Sequence, residues 1–114
     1  MPQVEIKGYI PGAIGRIAEL HAIYYSREWG FGKFFEAKVA IELSEFVNRL
    51  DEGQDALWTV CDENRVEGAI VIDGIKAKTD GAHLRWYILS PRLTGQGFGN
   101  KLLTEALNFC RAKQ

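Results

Sequence analysis

The chain has 114 residues, of which 14 are basic and 15 acidic, so its formal net charge is -1. The length predicts one domain, 1–114, and the near-neutral charge argues against nucleic acid or an anionic membrane as a partner. No apolar run approaches the roughly 20 residues of a membrane helix, and the N-terminus carries no secretory signal. Two cysteines, Cys61 and Cys110, are too few and too far apart for a disulfide framework or a metal site. They favour free thiols, so we expect a cytoplasmic protein without a metal.

The first part of the chain predicts one strand and two helices. Val4 and Ile6 alternate with polar residues, as in a short strand. Apolar residues recur at spacings of three and four over 13–27, which predicts a helix. A second helix follows the Gly30-Phe31-Gly32 break, and we expect Gly53 to form its left-handed C-terminal cap. The apolar face of this second helix consists of Phe35, Val39, Leu43, Phe46, Val47 and Leu50.

The second part predicts three strands and a helix. Apolar runs at 56–61, 66–72 and 82–89 predict the strands, and the first two are close enough to form an antiparallel hairpin. Apolar periodicity over 99–113 predicts the last helix. The expected buried face of that helix consists of Leu102, Leu103, Ala106, Leu107 and Cys110. The order strand, helix, helix, three strands, helix is typical of an α/β (α+β) layered domain with a mixed sheet.

The loop between the last strand and the last helix is the most informative segment. Gly95, Gly97 and Gly99 carry no side chains, so their backbone can approach a bulky anion at a helix N-terminus. The alternative is a plain glycine-rich turn. The third glycine comes one position too early for the dinucleotide motif G-x-G-x-x-G, and Lys101 has no glycine before it, as a triphosphate loop requires. Both nucleotide motifs therefore fail, and the loop is either a phosphate cradle of a different kind or the plain turn.

The run from Leu84 to Leu103 resembles the cofactor-binding core of the GNAT superfamily of acetyl-CoA-dependent N-acetyltransferases. The family signature is Arg or Gln, two residues, Gly, one residue, then Gly or Ala, between an apolar strand and a leucine-rich helix. Here Thr94-Gly95-Gln96-Gly97-Phe98-Gly99 occupies it. The strand Leu84–Leu89 is most similar to GNAT domains fused behind winged-helix regulators of the MarR type. The resemblance implies a mixed, mainly antiparallel sheet flanked by helices, in the order β-α-α-β-β-β-α.

The resemblance also implies acetyl-CoA as co-substrate and an amine of a small molecule or peptide as acceptor. The free strand backbone would pair with the pantetheine arm, and the loop amides would hold the pyrophosphate. The implied cofactor-binding residues are Ile88, Leu89, Thr94, Gly95, Gln96, Gly97, Gly99 and Asn100. The amine would attack the acetyl carbonyl directly, with the enzyme supplying position and oxyanion stabilisation. Nothing in the resemblance calls for a metal, nucleic acid or a membrane.

Four further residues are candidates for the chemistry of the acceptor. His83 stands where one branch of the family has a catalytic glutamate, and an imidazole can accept an amine proton; the alternative is a half-exposed strand histidine. Arg85 either neutralises an acidic substrate or pairs with a nearby carboxylate. Tyr25 and Trp29 fall in the region that lines the acceptor site in the family, although such aromatic clusters also serve as core.

Two departures from the family pattern qualify this interpretation. Thr94 stands where the family has Arg or Gln, which predicts weaker cofactor affinity. The chain ends at Gln114, whereas the family continues with a strand, a helix and a hairpin. We therefore expect a C-terminally incomplete domain that lacks these elements. A homodimer or domain-swapped pair would cover its open sheet edge. The alternative function is a degenerate, non-catalytic module that binds CoA or serves assembly or regulation.

Overall fold

The computed structural model describes residues 4–113. Its elements are β1 (Val4–Lys7), α1 (Ala13–Trp29), α2 (Lys33–Arg49), β2 (Ala56–Asp62), β3 (Arg65–Asp73), β4 (His83–Leu89), a 3-10 turn (Pro91–Leu93) and α3 (Phe98–Ala112). Every predicted strand and helix is confirmed. The apolar residues of each helix mark the face that it buries, and the apolar runs mark the strands of the sheet.

The four described strands form one antiparallel sheet in the order β1-β2-β3-β4. The hairpin expected between β2 and β3 is confirmed. Its two turn residues, Glu63 and Asn64, have φ of 52° and 68°, as a tight turn matching the twist of the strands requires. The result is the mainly antiparallel sheet that the sequence predicts, with β4 at one edge.

The sheet is buried on both faces by helices. One cluster joins α1 and α2 to one face, and it includes Ile17, Leu43, Phe46, Leu57 and Val71. A second cluster joins α3 to the other face, and it includes Val60, Ile70, Ile72, Leu102 and Ala106. Neighbouring residues of β3, such as Ile70 and Val71, belong to different clusters because successive side chains of a strand point to opposite faces. This layering places α3, and the loop that precedes it, on the face of β4 that belongs to the second cluster.

Two details of the sequence-based assignment are wrong. Gly53 does not cap α2, which ends at Arg49, with Leu50 in an extended conformation after it. The loop is held instead by carboxylates, since Asp55 accepts from the amide of Asp51 at 3.1 Å. Leu107 is 45% exposed, because the stripe of α3 that meets the sheet runs through Leu102 and Ala106 and Leu107 lies beside it.

Candidate functional site

Strand β4 carries a bulge at its centre. Ile70 of β3 faces two residues of β4, Trp86 and Tyr87, where a regular ladder has one. Trp86 takes a left-handed φ of 45°, which is uncommon for a bulky residue. The guanidinium carbon of Arg85 lies 3.9 Å from the centroid of the Trp86 ring, and the Phe46 ring lies 5.8 Å from it. The bulge is therefore locked by packing, and it separates the two halves of β4.

The outer edge of β4 is open within residues 4–113, because β4 is the last strand in the sheet order. The side chain of Ile88 is buried and that of Leu89 is half-buried, so the end of the strand is held in place. An unpaired edge leaves backbone N–H and C=O groups free to pair with an extended ligand or another strand.

The glycine loop, residues 90–99, has a backbone that depends on two of its glycines. Gly95 has a φ of 82°, and Gly97, which caps the N-terminus of α3, has a φ of 88°. These are left-handed conformations that side chains disfavour. Gly99 differs, since its φ is not left-handed and a Cβ there would lie 3.3 Å from the Tyr87 hydroxyl.

The loop and the first turn of α3 present six amides, from Gly95 to Asn100, that donate to no backbone acceptor within the described residues. The first amide of α3 with a backbone acceptor is that of Lys101, which bonds to the Gly97 carbonyl at 3.1 Å. Free amides at a helix N-terminus attract anions through their hydrogen bonds and the helix dipole. The loop is therefore chemically suited to hold a phosphate group.

The polar side chains of the loop are bonded within the protein. The Thr94 hydroxyl donates to the Pro91 carbonyl at 2.8 Å, and the Gln96 side-chain amide donates to the Arg92 carbonyl at 3.1 Å. Arg92 Nη1 lies 2.8 Å from Asp62 Oδ2 and 3.2 Å from a Glu67 oxygen, and the bond to Asp62 is the main cause of its raised pKa. The one basic side chain within the loop, Arg92, is thus already paired with carboxylates.

Arg85 and His83 lie on the α1–α2 face of β4, before the bulge. Arg85 bonds to Asp73 Oδ2 at 3.0 Å and to Glu42 Oε1 at 3.3 Å, so it pairs with carboxylates, one of the two alternatives. Burial raises the pKa of Asp73, but bonds from Arg49, the Ile75 amide and Arg85 outweigh it, and the pKa is lowered. His83 is exposed and faces Asp73 in the register.

Tyr25 and Trp29 occupy different environments at the end of α1. Tyr25 is half-buried in an aromatic cluster, where its ring stacks on Phe31 with centroids 5.9 Å apart and meets Phe35 at 4.9 Å. His21 stacks on its other side at 6.3 Å. Trp29 is 67% exposed. The structure therefore places Tyr25 in a packed cluster and leaves Trp29 on the surface.

Two cavities lie near β4. A small one of about 130 Å³ separates α1 from the start of the glycine loop, and its lining includes Arg16, Tyr24, Leu89 and Ser90. A larger one of about 800 Å³ lies at the opposite end of β4, between the β3–β4 loop and the C-terminal end of α3. The small cavity therefore lies between helix α1 and the glycine loop.

Sequence reasoning missed Glu67 and Gly68 of β3. The Glu67 side chain is 3% exposed and bonds to Arg16 and Arg92. A Cβ at Gly68 would lie 2.7 Å from Leu89 Cδ1 and 3.0 Å from the Ile88 carbonyl oxygen, so β3 approaches the end of β4 only because this residue is glycine. The signal in the sequence was a carboxylate and a glycine within an apolar strand.

Within residues 4–113, no group of three His, Cys, Asp or Glu side chains is placed to bind a metal ion. Across the same residues, no helix is both long and apolar enough to cross a membrane.

Comparison with known proteins identifies the family. The sequence profile of the acetyltransferase (GNAT) family matches residues 15–114, so the chain belongs to the acetyltransferase (GNAT) family. No curated protein matches the sequence.

Solved structures share the fold at low sequence identity. A GNAT-family acetyltransferase from Staphylococcus aureus Mu50 is 13% identical with a TM-score of 0.73, covering 97% of this chain and 68% of that one. The PaiA N-acetyltransferase from Thermoplasma acidophilum, solved in complex with coenzyme A, is 18% identical with a TM-score of 0.73, covering 97% and 74%. A predicted acetyltransferase from Clostridium acetobutylicum, solved with acetyl-CoA, is 12% identical with a TM-score of 0.71, covering 97% of this chain and 75% of that one. The expected GNAT-like fold is therefore confirmed.

Proposed function

We propose that this protein binds acetyl-CoA and transfers its acetyl group to an amine. The observation that carries the proposal is the row of six free amides from Gly95 to Asn100 at the N-terminus of α3, in a chain of the acetyltransferase family. These amides fit a pyrophosphate because they supply several preorganised donors at the positive end of a helix. Gly95 and Gly97 have no Cβ atoms on that surface, and their left-handed φ favours glycine at both positions.

The cofactor would lie along the open edge of β4. The backbone of Ile88 and Leu89 would pair with the pantetheine arm as an added strand does, and the amides of Gly95, Gln96, Gly97, Gly99 and Asn100 would hold the pyrophosphate. Thr94 would contribute backbone only, since its hydroxyl is bonded to the Pro91 carbonyl. When bound, acetyl-CoA supplies an activated thioester carbonyl. The chain's own part is to fix the cofactor and to exclude unproductive geometries.

The acceptor amine would approach from the α1–α2 face of β4, where His83 is exposed. His83 is proposed as the base that takes the proton from the attacking amine at its imidazole nitrogen, directly or through one water. Arg85, bonded to Asp73 and Glu42, would orient the strand rather than neutralise an acidic acceptor. Tyr25 and Trp29 would border the acceptor site from the end of α1.

A non-catalytic CoA-binding or regulatory module is the second candidate. One observation favours it: two side chains that could add charge or hydrogen bonds to the cradle are bonded elsewhere. Thr94 bonds to Pro91, and Arg92 is paired with Asp62 and Glu67. Cofactor binding would then rest on backbone amides, with an affinity too low to sustain turnover at ordinary CoA concentrations.

The open edge of β4 supports a proposal about assembly. Leu84 and Tyr87 of β4 are 45% and 39% exposed, and Leu107 of α3 is exposed as well. A homodimer or domain-swapped pair would cover these side chains and supply the second wall of the cofactor cleft along this edge. Light scattering at micromolar concentration tests the proposal, and a monomer would contradict it.

The free thiols of Cys61 and Cys110 support a cytoplasmic location.

Calorimetry followed by a thiol-release assay tests the function. Titration with CoA and with acetyl-CoA measures binding, and release of free CoA over a panel of small amines and peptides measures transfer. We expect binding of both ligands and amine-dependent thiol release. Binding without release over the whole panel would favour the module, and an absence of binding would overturn the proposal.

A further inference from the structure

One buried residue of β3, Glu67, bonds to two residues at the start of the glycine loop, Ser90 and Arg92. This residue lies at a bulge of β3, since Val66 pairs with Cys61 and Gly68 with Val60, which leaves Glu67 without a partner on β2. Its backbone carbonyl accepts a hydrogen bond of 2.6 Å from the amide of Ser90, the first residue of the loop.

The carboxylate of Glu67 makes two further bonds, one to helix α1 and one to the glycine loop. Oε1 accepts from Arg16 Nη2 of α1 at 2.7 Å, and Oε2 accepts from Arg92 Nη1 of the loop at 3.2 Å. Arg16 is itself fixed by bonds to the Val66 carbonyl at 2.8 Å and to Glu19 at 2.7 Å. Arg92 also bonds to Asp62 Oδ2 at 2.8 Å.

The bridge from Arg16 through Glu67 to Arg92 is sheltered at its centre. The side chains of Glu67 and Arg16 are 3% and 15% exposed, so these charged hydrogen bonds compete little with water. Burial lowers the pKa of Arg16, but its bonds to Glu19 and Glu67 outweigh this effect and the pKa is raised. The guanidinium therefore stays charged at neutral pH.

We infer that Glu67 is a positioning residue for the glycine loop, and that its carboxylate acts through Arg92. The inference rests on the proposed function, because the consequence of positioning is cofactor affinity. Six free amides bind one anion well only if they keep a fixed arrangement before the ligand arrives. Within residues 4–113, the described hydrogen bonds join the loop's first three residues to β3 through Glu67 alone.

The variant Glu67→Gln tests this inference, with Glu19→Gln as the matched control. Both changes remove one carboxylate partner of Arg16, but Glu19 is exposed and has no bond to the loop. We expect Glu67→Gln to weaken CoA binding by about tenfold or more, the scale of effect that misplacement of binding groups produces. Glu19→Gln should leave CoA affinity unchanged. Affinities are compared below the unfolding transition of both variants, so that a loss of stability alone changes neither value.

A second measurement needs no cofactor. Backbone ¹⁵N relaxation at the amides of Gly95 to Asn100, measured by NMR in the free protein, should give lower order parameters in Glu67→Gln than in wild type and unchanged ones in Glu19→Gln. Lower order parameters support the inference even if wild type fails to bind CoA, a result that would count against the proposed function alone. Unchanged order parameters overturn the inference.

A variant at the exposed end of the bridge, Arg92→Gln, tests the inference if Glu67→Gln does not fold. Arg92 is 57% exposed, so Arg92→Gln is expected to fold and to weaken CoA binding as Glu67→Gln does. If both fold, the double variant should be no worse than either single one. Unchanged affinity in Arg92→Gln overturns the inference. So does tighter binding in Glu67→Gln, which would mean that Glu67 holds Arg92 away from the phosphate.

Discussion

The hydroxyl of Tyr87 donates a hydrogen bond to the Gly99 carbonyl at 2.5 Å, and this contact ties the bulge of β4 to the first turn of α3. The same hydroxyl would lie 3.3 Å from a Cβ at position 99. The strand β4, the glycine loop and helix α3 therefore meet at this contact. The bulge places the Tyr87 hydroxyl between β4 and α3, where it limits how closely α3 can approach β4. This contact explains why the third glycine of the loop is a glycine although its backbone does not require one.

Replacement of Tyr87 by Phe should destabilise the protein by about 0.5–1.5 kcal/mol, the usual effect of losing one intramolecular hydrogen bond. It should also make Gly99→Ala better tolerated, because the atom that crowds the new Cβ is gone and alanine favours helix. Urea denaturation of the two single variants and the double variant measures the coupling. Additive effects would show that Tyr87 does not determine the choice of glycine at position 99.

Gly97→Ala should lower stability by roughly 1–2 kcal/mol, since its left-handed backbone disfavours a side chain. A Cβ at position 97 meets nothing within 4 Å, so the effect comes from the backbone alone. Gly15→Ala is the matched control, because it lies within α1, also has open space and has no left-handed φ. That control should stabilise the protein by roughly 0.5–1 kcal/mol. Urea titration compares the two, and a change of the same sign in both would contradict the argument.

Thr94→Arg should tighten CoA binding. The family signature has Arg or Gln here, and the nearby cation Arg92 is paired with carboxylates. A new guanidinium beside the loop would add a charge-assisted hydrogen bond worth about 1.5–3 kcal/mol, or at least tenfold in affinity. Calorimetry at low and high salt should show a steeper salt dependence than in wild type.

Thr104→Arg controls for net charge, because it adds the same side chain to an exposed position of α3 beyond the loop. It should leave the affinity nearly unchanged. An unaltered dissociation constant in Thr94→Arg would mean that position 94 does not face the bound phosphate.

His83→Gln should lower the rate of acetyl transfer by roughly 10²–10⁴-fold if His83 is the general base, with CoA affinity unchanged. The neighbouring Leu84→Ala, which removes another exposed side chain of β4, should leave the rate largely intact. Steady-state kinetics in the thiol-release assay measures both. Equal rates in wild type and His83→Gln would exclude this role.

The element order was predictable because each helix and strand repeats its apolar residues at its own period. The two bulges were not predictable, since they depend on the register between strands that are distant in sequence. Without the bulge at Trp86, simple alternation would not place Tyr87 against α3. The glycine loop was visible as a motif because its requirements are local. The pairing of Glu67 with Arg16 and Arg92 was not visible, because any of the chain's 14 basic residues could have been its partner.

His21 should make the protein less stable in mild acid. Its side chain is buried, with Nδ1 2.8 Å from the Ile17 carbonyl, and burial lowers its pKa in spite of this bond. In the unfolded chain the ordinary value of about 6.5 applies. Below that pH the unfolded state binds a proton at His21 that the folded state does not bind. The contribution of neutral His21 to the free energy of unfolding is therefore fully present above about pH 6.5. It is lost as the pH falls toward the pKa of His21 in the folded state.

The free energy of unfolding in urea, measured from pH 7.5 down to pH 5, tests this expectation. This free energy should fall as the pH is lowered below about 6.5, with a slope of at most about 1.4 kcal/mol per pH unit for one proton. His21→Gln removes the titrating group while keeping a donor for the Ile17 carbonyl, so its profile should be flatter over the same range. His83→Gln, which removes the chain's other histidine at an exposed position, is the matched comparison variant. A wild-type slope in His21→Gln would place the proton uptake elsewhere in the protein.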